Sequence, residues 1–90
     1  MTQIFTKDPN ATLDYQVDWS AWLDTDTIIA STWVVPTGLT NASDAFTTTT
    51  ATIWLSGGSL VTKAYVVVNR IATAAGRTED RSFVIQMEER

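Results

Sequence analysis

The chain has 90 residues, six Lys/Arg against ten Asp/Glu, a formal charge of −4 and an isoelectric point near 4.4. That is length for one domain, with an acidic balance unsuited to nucleic-acid backbones, whose affinity comes from cationic contacts that release counterions. The absence of cysteine and histidine excludes disulfides, Cys/His zinc sites, thiol nucleophiles and Ser-His-Asp triads, and no apolar run approaches the ~18–20 residues that span a bilayer.

Met1–Thr12 has no clean period and contains the turn signal Asp8-Pro9-Asn10. It reads as an extended N-terminal arm over residues 1–12, without the apolar core of a signal peptide, followed by the domain proper over 13–90. Leu13–Trp19 alternates strictly, with Leu13, Tyr15, Val17 and Trp19 on one face and Asp14, Gln16 and Asp18 on the other. That is a half-buried strand. Ser20–Leu23 reads as one helical turn with Asp18 available as its N-cap, and Asp24–Asp26 as a loop. Thr27–Val35 is a second strand whose periodicity leaves two inward sets open: Ile29, Trp33 and Val35, or Ile28, Ala30 and Val34.

Pro36–Gly38 ends that strand, and Leu39–Phe46 is a third, weaker one. Thr47–Thr50 is a polar turn or a short edge strand. Ala51–Ser56 is the next strand, with Ala51, Ile53 and Leu55 opposed to Thr52, Trp54 and Ser56. Gly57-Gly58 is a turn. Lys63–Thr73, apolar on both faces, predicts a central strand. Ala74–Asp80 reads as a hairpin loop, and Arg81–Glu88 as the last strand, with Phe83, Ile85 and Met87 inward.

Short strands at ~8–12-residue spacing predict an all-β antiparallel sandwich or small barrel. Composition agrees, because 16 of the 90 residues are threonine and β-branched side chains suit a pleated surface. Leu55…Gly58…Tyr65 favours the sandwich. The spacing suits a corner where a buried tyrosine bonds back to upstream backbone before an immunoglobulin-like strand F. Charge is uneven, and from Thr27 to Thr62 the one charged residue is Asp44. This neutral stretch, rich in Thr and Ser and holding Trp33 and Trp54, is either a face solvated by hydroxyls or a surface that lies against other subunits.

Several blocks then point further: Asp18-Trp19-Ser20-Ala21-Trp22-Leu23, Ser31-Thr32-Trp33-Val34-Val35-Pro36, Ile53-Trp54-Leu55-Ser56-Gly57-Gly58, and the hairpin from Tyr65 through Arg77-Thr78 to Arg81-Ser82-Phe83. Over about residues 13–87 the chain resembles the small immunoglobulin-like fiber–tail adaptor proteins of tailed phages and prophages. The resemblance implies an immunoglobulin-like antiparallel β-sandwich of about seven strands. It also implies a non-enzymatic virion structural role with other tail and fiber proteins as partners, placement in the virion tail after assembly in the bacterial host cytoplasm, and homo-oligomers as a further option. No cofactor, metal, nucleic-acid or membrane contact is expected.

Of the four tryptophans, Trp19 and Trp33 lie on apolar patterns and are expected in the core. Trp54 falls on the outward face of its strand and Trp22 on the turn beside acidic residues, so both are candidate partner contacts. Arg77 joins them as a cation on the last hairpin, although Arg70, Arg77 and Arg81 are expected to pair locally with Glu79 and Asp80. Asp18, Asp24 and Asp26 could offer oxygen ligands to calcium, but loop aspartates commonly bond their own backbone. The alternative function is a glycan- or surface-binding module that uses exposed Trp and loop Asp.

Overall fold

Alternating apolar side chains need two facing sheets to cover them, and the chain provides both. A computed structural model describes residues 3–88. Its strands are β1 (Gln3–Lys7), β2 (Leu13–Asp18), β3 (Ile28–Val34), β4 (Leu39–Phe46), β5 (Thr50–Gly57), β6 (Ala64–Thr73) and β7 (Thr78–Met87), with one helical turn, α1 (Ser20–Leu23). Two sheets result, ordered β1-β7-β6-β3 and β2-β5-β4. Tyr15, Ile53 and Leu55 from one inner face pack against Tyr65, Val67, Phe83 and Ile85 from the other. A second cluster of Trp19, Leu23, Ile28 and Ile71 closes the end that carries α1. The expected all-β immunoglobulin-like sandwich is the fold.

The predicted corner forms. Tyr65 is buried, and its Oη accepts a hydrogen bond from the backbone N–H of Ser59 at 3.1 Å. Gly38 makes room for it. A Cβ there would stand 2.8 Å from that oxygen, and the φ of +110° is one that only glycine holds without strain.

The N-terminal segment departs from expectation. Gln3–Lys7 is no separate arm but an edge strand of the four-stranded sheet, paired in parallel with β7 from Gln3↔Phe83 to Lys7↔Met87. The sheet is therefore mixed rather than wholly antiparallel. Residues 1 and 2 of the predicted arm lie outside the described residues. The strand was hard to see because a lysine fills its last inward position. Lys7 is fully buried, and its ammonium donates to the carbonyls of Gly57 at 2.7 Å and Asp8 at 2.9 Å. Burial pushes its pKa below the ordinary lysine value, with the Asp8 charge opposing.

Smaller differences have local causes. The register of β3 shifts between Ile28 and Ala30. Such a bulge breaks the period of two. Ile28 is buried before it, and Ser31 and Trp33 pair with the buried Ile71 and Asn69 after it, so neither predicted inward set is whole. Asp18 does not occupy the N-cap of α1, which is Trp19. Instead its carboxylate accepts the Ser20 N–H at 2.9 Å from one position earlier. The β6–β7 ladder continues to Ala72↔Thr78, so the loop is shorter than Ala74–Asp80. Finally, β6 lies between β7 and β3, yet only one of its faces is covered: Val66 is 55% exposed.

Candidate functional site

Trp22 and Arg77 come together at the α1 end. Trp22 is half-buried and meets the fully buried Trp19 edge-on, centroids 5.4 Å apart. The Arg77 guanidinium lies 4.1 Å from the Trp22 ring centroid, an attractive geometry for a cation over a π face. The same guanidinium donates from Nε to Asp26 Oδ2 at 3.0 Å and from Nη2 to the Leu23 carbonyl at 3.2 Å. Arg77 thus clamps the α1 turn to the β6–β7 hairpin instead of pairing within the hairpin as expected.

Asp26 is the acceptor that organises this end. Its Oδ1 takes the N–H groups of Thr27 at 2.8 Å and Ala75 at 3.0 Å. The Thr73 hydroxyl, these backbone donors and Arg77 favour the ionised form and outweigh desolvation, which lowers the pKa to about 2. Asp18 is held below its ordinary value by the Ser20 hydroxyl and N–H, with Arg81 nearby. These carboxylate oxygens already face donors of the chain itself, and among the described residues no group of three or more acidic side chains forms a metal-ligand cluster.

The other two hairpin arginines divide. Arg70 makes the expected cross-strand pair with Asp80, Nε to Oδ1 at 2.7 Å and Nη2 to Oδ2 at 3.0 Å. Arg81 crosses to the other sheet instead. It lies 4.4 Å over Trp19, and its Nη1 donates to the Asp18 carbonyl at 3.1 Å.

Trp54 stands apart from Trp22 and Arg77. It projects from the outer face of β5, between Asp14 of β2 and Ser43 of β4, and is 37% exposed. Along that face Ser56 pairs with Thr40 and Thr52 with Ala45, so the β5–β4 half carries no charge. β4 is an edge strand, exposed from Thr40 to Phe46 and unpaired on its far side by any described residue. The core tryptophans are as expected for Trp19, while Trp33 is half-buried against the core with its indole nitrogen unpaired.

Sequence reasoning missed one surface. Even-numbered residues of β6 and β7 face away from the core, and the pairing aligns Ile4, Val84 and Val66 in one row and Val68 and Val34 in the next. Ile4, Val34 and Val66 are each more than half exposed. The signal lies in Tyr65–Val68, where apolar residues on both faces predict a central strand; β6 is central in its sheet, and its even-numbered face lies open.

Two small facing sheets around one core, closed at one end by the Trp19 cluster, define a sandwich domain. The chain belongs to the family described as "Podophage GP4 fiber-tail adaptor protein gp77", whose sequence model matches residues 7–86. A search of curated proteins finds no match. Among solved structures the chain is similar to "Solution structure of the PKD domain from KIAA 1837 protein", at 17% identity and a TM-score of 0.57. That match covers 98% of this chain and 80% of the other, and at such identity it speaks for the fold alone.

Proposed function

We infer that the chain is a non-enzymatic adaptor of a tailed phage or prophage that docks between tail and fiber components in the virion. The family supplies the class of partner. The observation that carries the docking surface is the uncharged outer face of β5 and β4, with Trp54 at its centre and the open edge of β4 at its border. A rigid sandwich presents this face in fixed geometry, and a neighbour that covers Trp54 meets neutral side chains toward β4 and the carboxylate of Asp14 toward β2. A large aromatic with a polar surround is what binding hot spots use. Trp22 and Arg77 form a second, smaller candidate contact, but both are already engaged with each other and with Asp26.

The test measures binding of the purified chain to isolated tail and fiber components by calorimetry. Trp54→Ala weakens the complex at least about tenfold, equivalent to about 1.4 kcal/mol, and leaves the fold intact. Trp22→Ala has a smaller effect on binding and a larger one on stability. Unchanged affinity in Trp54→Ala overturns the docking surface. Binding to a glycan array and not to tail proteins overturns the adaptor reading.

A further inference from the structure

The chain holds two prolines, Pro36 after Val35 and Pro9 after Asp8. The Asp8–Pro9 peptide bond lies in the turn between β1 and β2, with both residues half-buried. Its carbonyl oxygen is held by two donors. The Lys7 ammonium donates to it at 2.9 Å, and the Ala11 N–H at 3.0 Å. Lys7 is fully buried and is fixed by a second bond, to the Gly57 carbonyl at 2.7 Å. The Asp8 carboxylate turns back along the same turn, where its Oδ1 accepts the Asn10 N–H at 2.8 Å.

We propose that Asp8–Pro9 is a self-cleavage site: the Asp8 carboxylate is the nucleophile, the Lys7 ammonium and Ala11 N–H are the oxyanion hole, and water is the co-reactant. The nucleophile is tethered to its own target, so no bimolecular encounter is needed. Proline directs the attack. It has no backbone N–H, so its nitrogen cannot close on the aspartate side chain, the usual side reaction at this residue. The carboxylate attacking the main-chain carbonyl carbon remains.

In the first step a carboxylate oxygen bonds to the Asp8 main-chain carbon, and the carbonyl electron pair moves onto its oxygen. That oxygen becomes an anion between Lys7 and Ala11. Burial already disfavours the charge on Lys7, with Asp8 opposing. An anion forming against a desolvated cation is stabilised more than it would be in water. The electron pair then returns, the carbon–nitrogen bond breaks, and the Pro9 nitrogen leaves with a proton from solvent. The products are a cyclic anhydride at Asp8 and an amine at Pro9. Water opens the anhydride to a C-terminal aspartate and gives the proton back. The sum is hydrolysis of one peptide bond.

Every Asp–Pro bond carries the tethered carboxylate. What the fold adds is the pair of donors, and Lys7 is placed to serve only when β1 lies in its sheet, opposite Met87. Cleavage leaves β1 in place through its ladder with β7 and the packing of Phe5, no longer joined covalently to β2.

The experiment incubates the purified full chain at mildly acidic pH and follows it by denaturing mass spectrometry. The expected result is two fragments, one ending at Asp8 and one beginning at Pro9. They form at least about tenfold faster in the folded chain than in the same chain in urea, because unfolding removes the oxyanion donors. Asp8→Asn abolishes cleavage. Lys7→Met, checked for its folded spectrum, slows it at least about tenfold. If Lys7→Met does not fold, the urea comparison and Asp8→Asn decide. A chain that stays intact overturns the proposal. So do equal rates in the folded and unfolded chain, cleavage that persists in Asp8→Asn, or a folded Lys7→Met that cleaves at the original rate. No tail or fiber component enters these measurements, so the docking surface at Trp54 stands or falls separately.

Discussion

Asn69 shows how one residue can join the two sheets. It is fully buried on β6, where its Oδ1 accepts the indole N–H of Trp19 at 2.9 Å and its Nδ2 donates to the Ser31 hydroxyl and the Thr32 carbonyl. Replacing it by an apolar residue strands the Trp19 N–H in the core. Asn69→Ala is therefore expected to cost about 2–4 kcal/mol, because an orphaned buried donor adds its desolvation to the lost contacts. Urea unfolding midpoints at constant slope would measure it.

Asp26 makes a second residue-scale prediction, with a definite sign. Its folded pKa is about 2 against an ordinary 3.8, so between those values the unfolded chain binds more protons than the folded one. The stability it contributes is complete above about pH 4 and is lost as the pH falls through about 2. Asp80, beside Arg70, and Asp18 have lowered values and act in the same direction. Thermal melts across this range should show falling midpoints. Asp26→Asn should have a lower midpoint at neutral pH and a shallower fall with acid.

At the scale of elements, β1 is held by more than its ladder. Phe5 packs against Tyr15 and Phe83, with ring centroids 5.1 and 5.4 Å away, and Lys7 ties the strand's end to Gly57. Phe5→Ala is expected to destabilise by about 2 kcal/mol, less than a fully buried phenylalanine would. Exchange of β1 amides should quicken before those of β6, since an edge strand opens with less loss of contact. Gly38→Ala should cost about 1–3 kcal/mol through its positive φ and the collision with Tyr65.

These elements also show what the sequence makes legible. β2 and β5 are legible because each alternates against a single core, and the outward place of Trp54 follows from Ala51, Ile53 and Leu55 alone; β4, buried only at Leu39, has no such alternation and reads as a weaker strand. β1 was not readable. Its partner lies at the far end of the chain, its pairing is parallel, and its buried lysine imitates a solvent position. The bulge in β3 shifted its phase midway. Arg77 meets Asp26 across 51 positions, so no local pattern could favour it over the nearer Glu79 and Asp80. A valine run on β6 reads alike whether its second face meets a layer of the same domain or lies open.

For the whole molecule, pairing is dominated by distant segments: β1 with β7, β2 with β5, β3 with β6. Much loop closure must precede the gain in contacts. Refolding in the millisecond-to-second range is expected by stopped-flow fluorescence of the tryptophans. The charge layout acts at the same scale. Arg70 and Asp80 neutralise each other and Arg77 answers Asp26. The outer face of each sheet keeps an uncharged part, the Ile4–Val84–Val66 row on one and the β5–β4 half on the other, while Asp14 charges the β2 side of the second.

The parallel alignment of β1 and β7 also fixes how the domain carries a load. A pull applied at Gln3 and Glu88 in opposite senses runs along the two strands, which lie side by side through five paired positions. Those rungs resist in shear, together, where an antiparallel pair pulled from one end would open rung by rung. The domain is braced against tension applied along this strand pair.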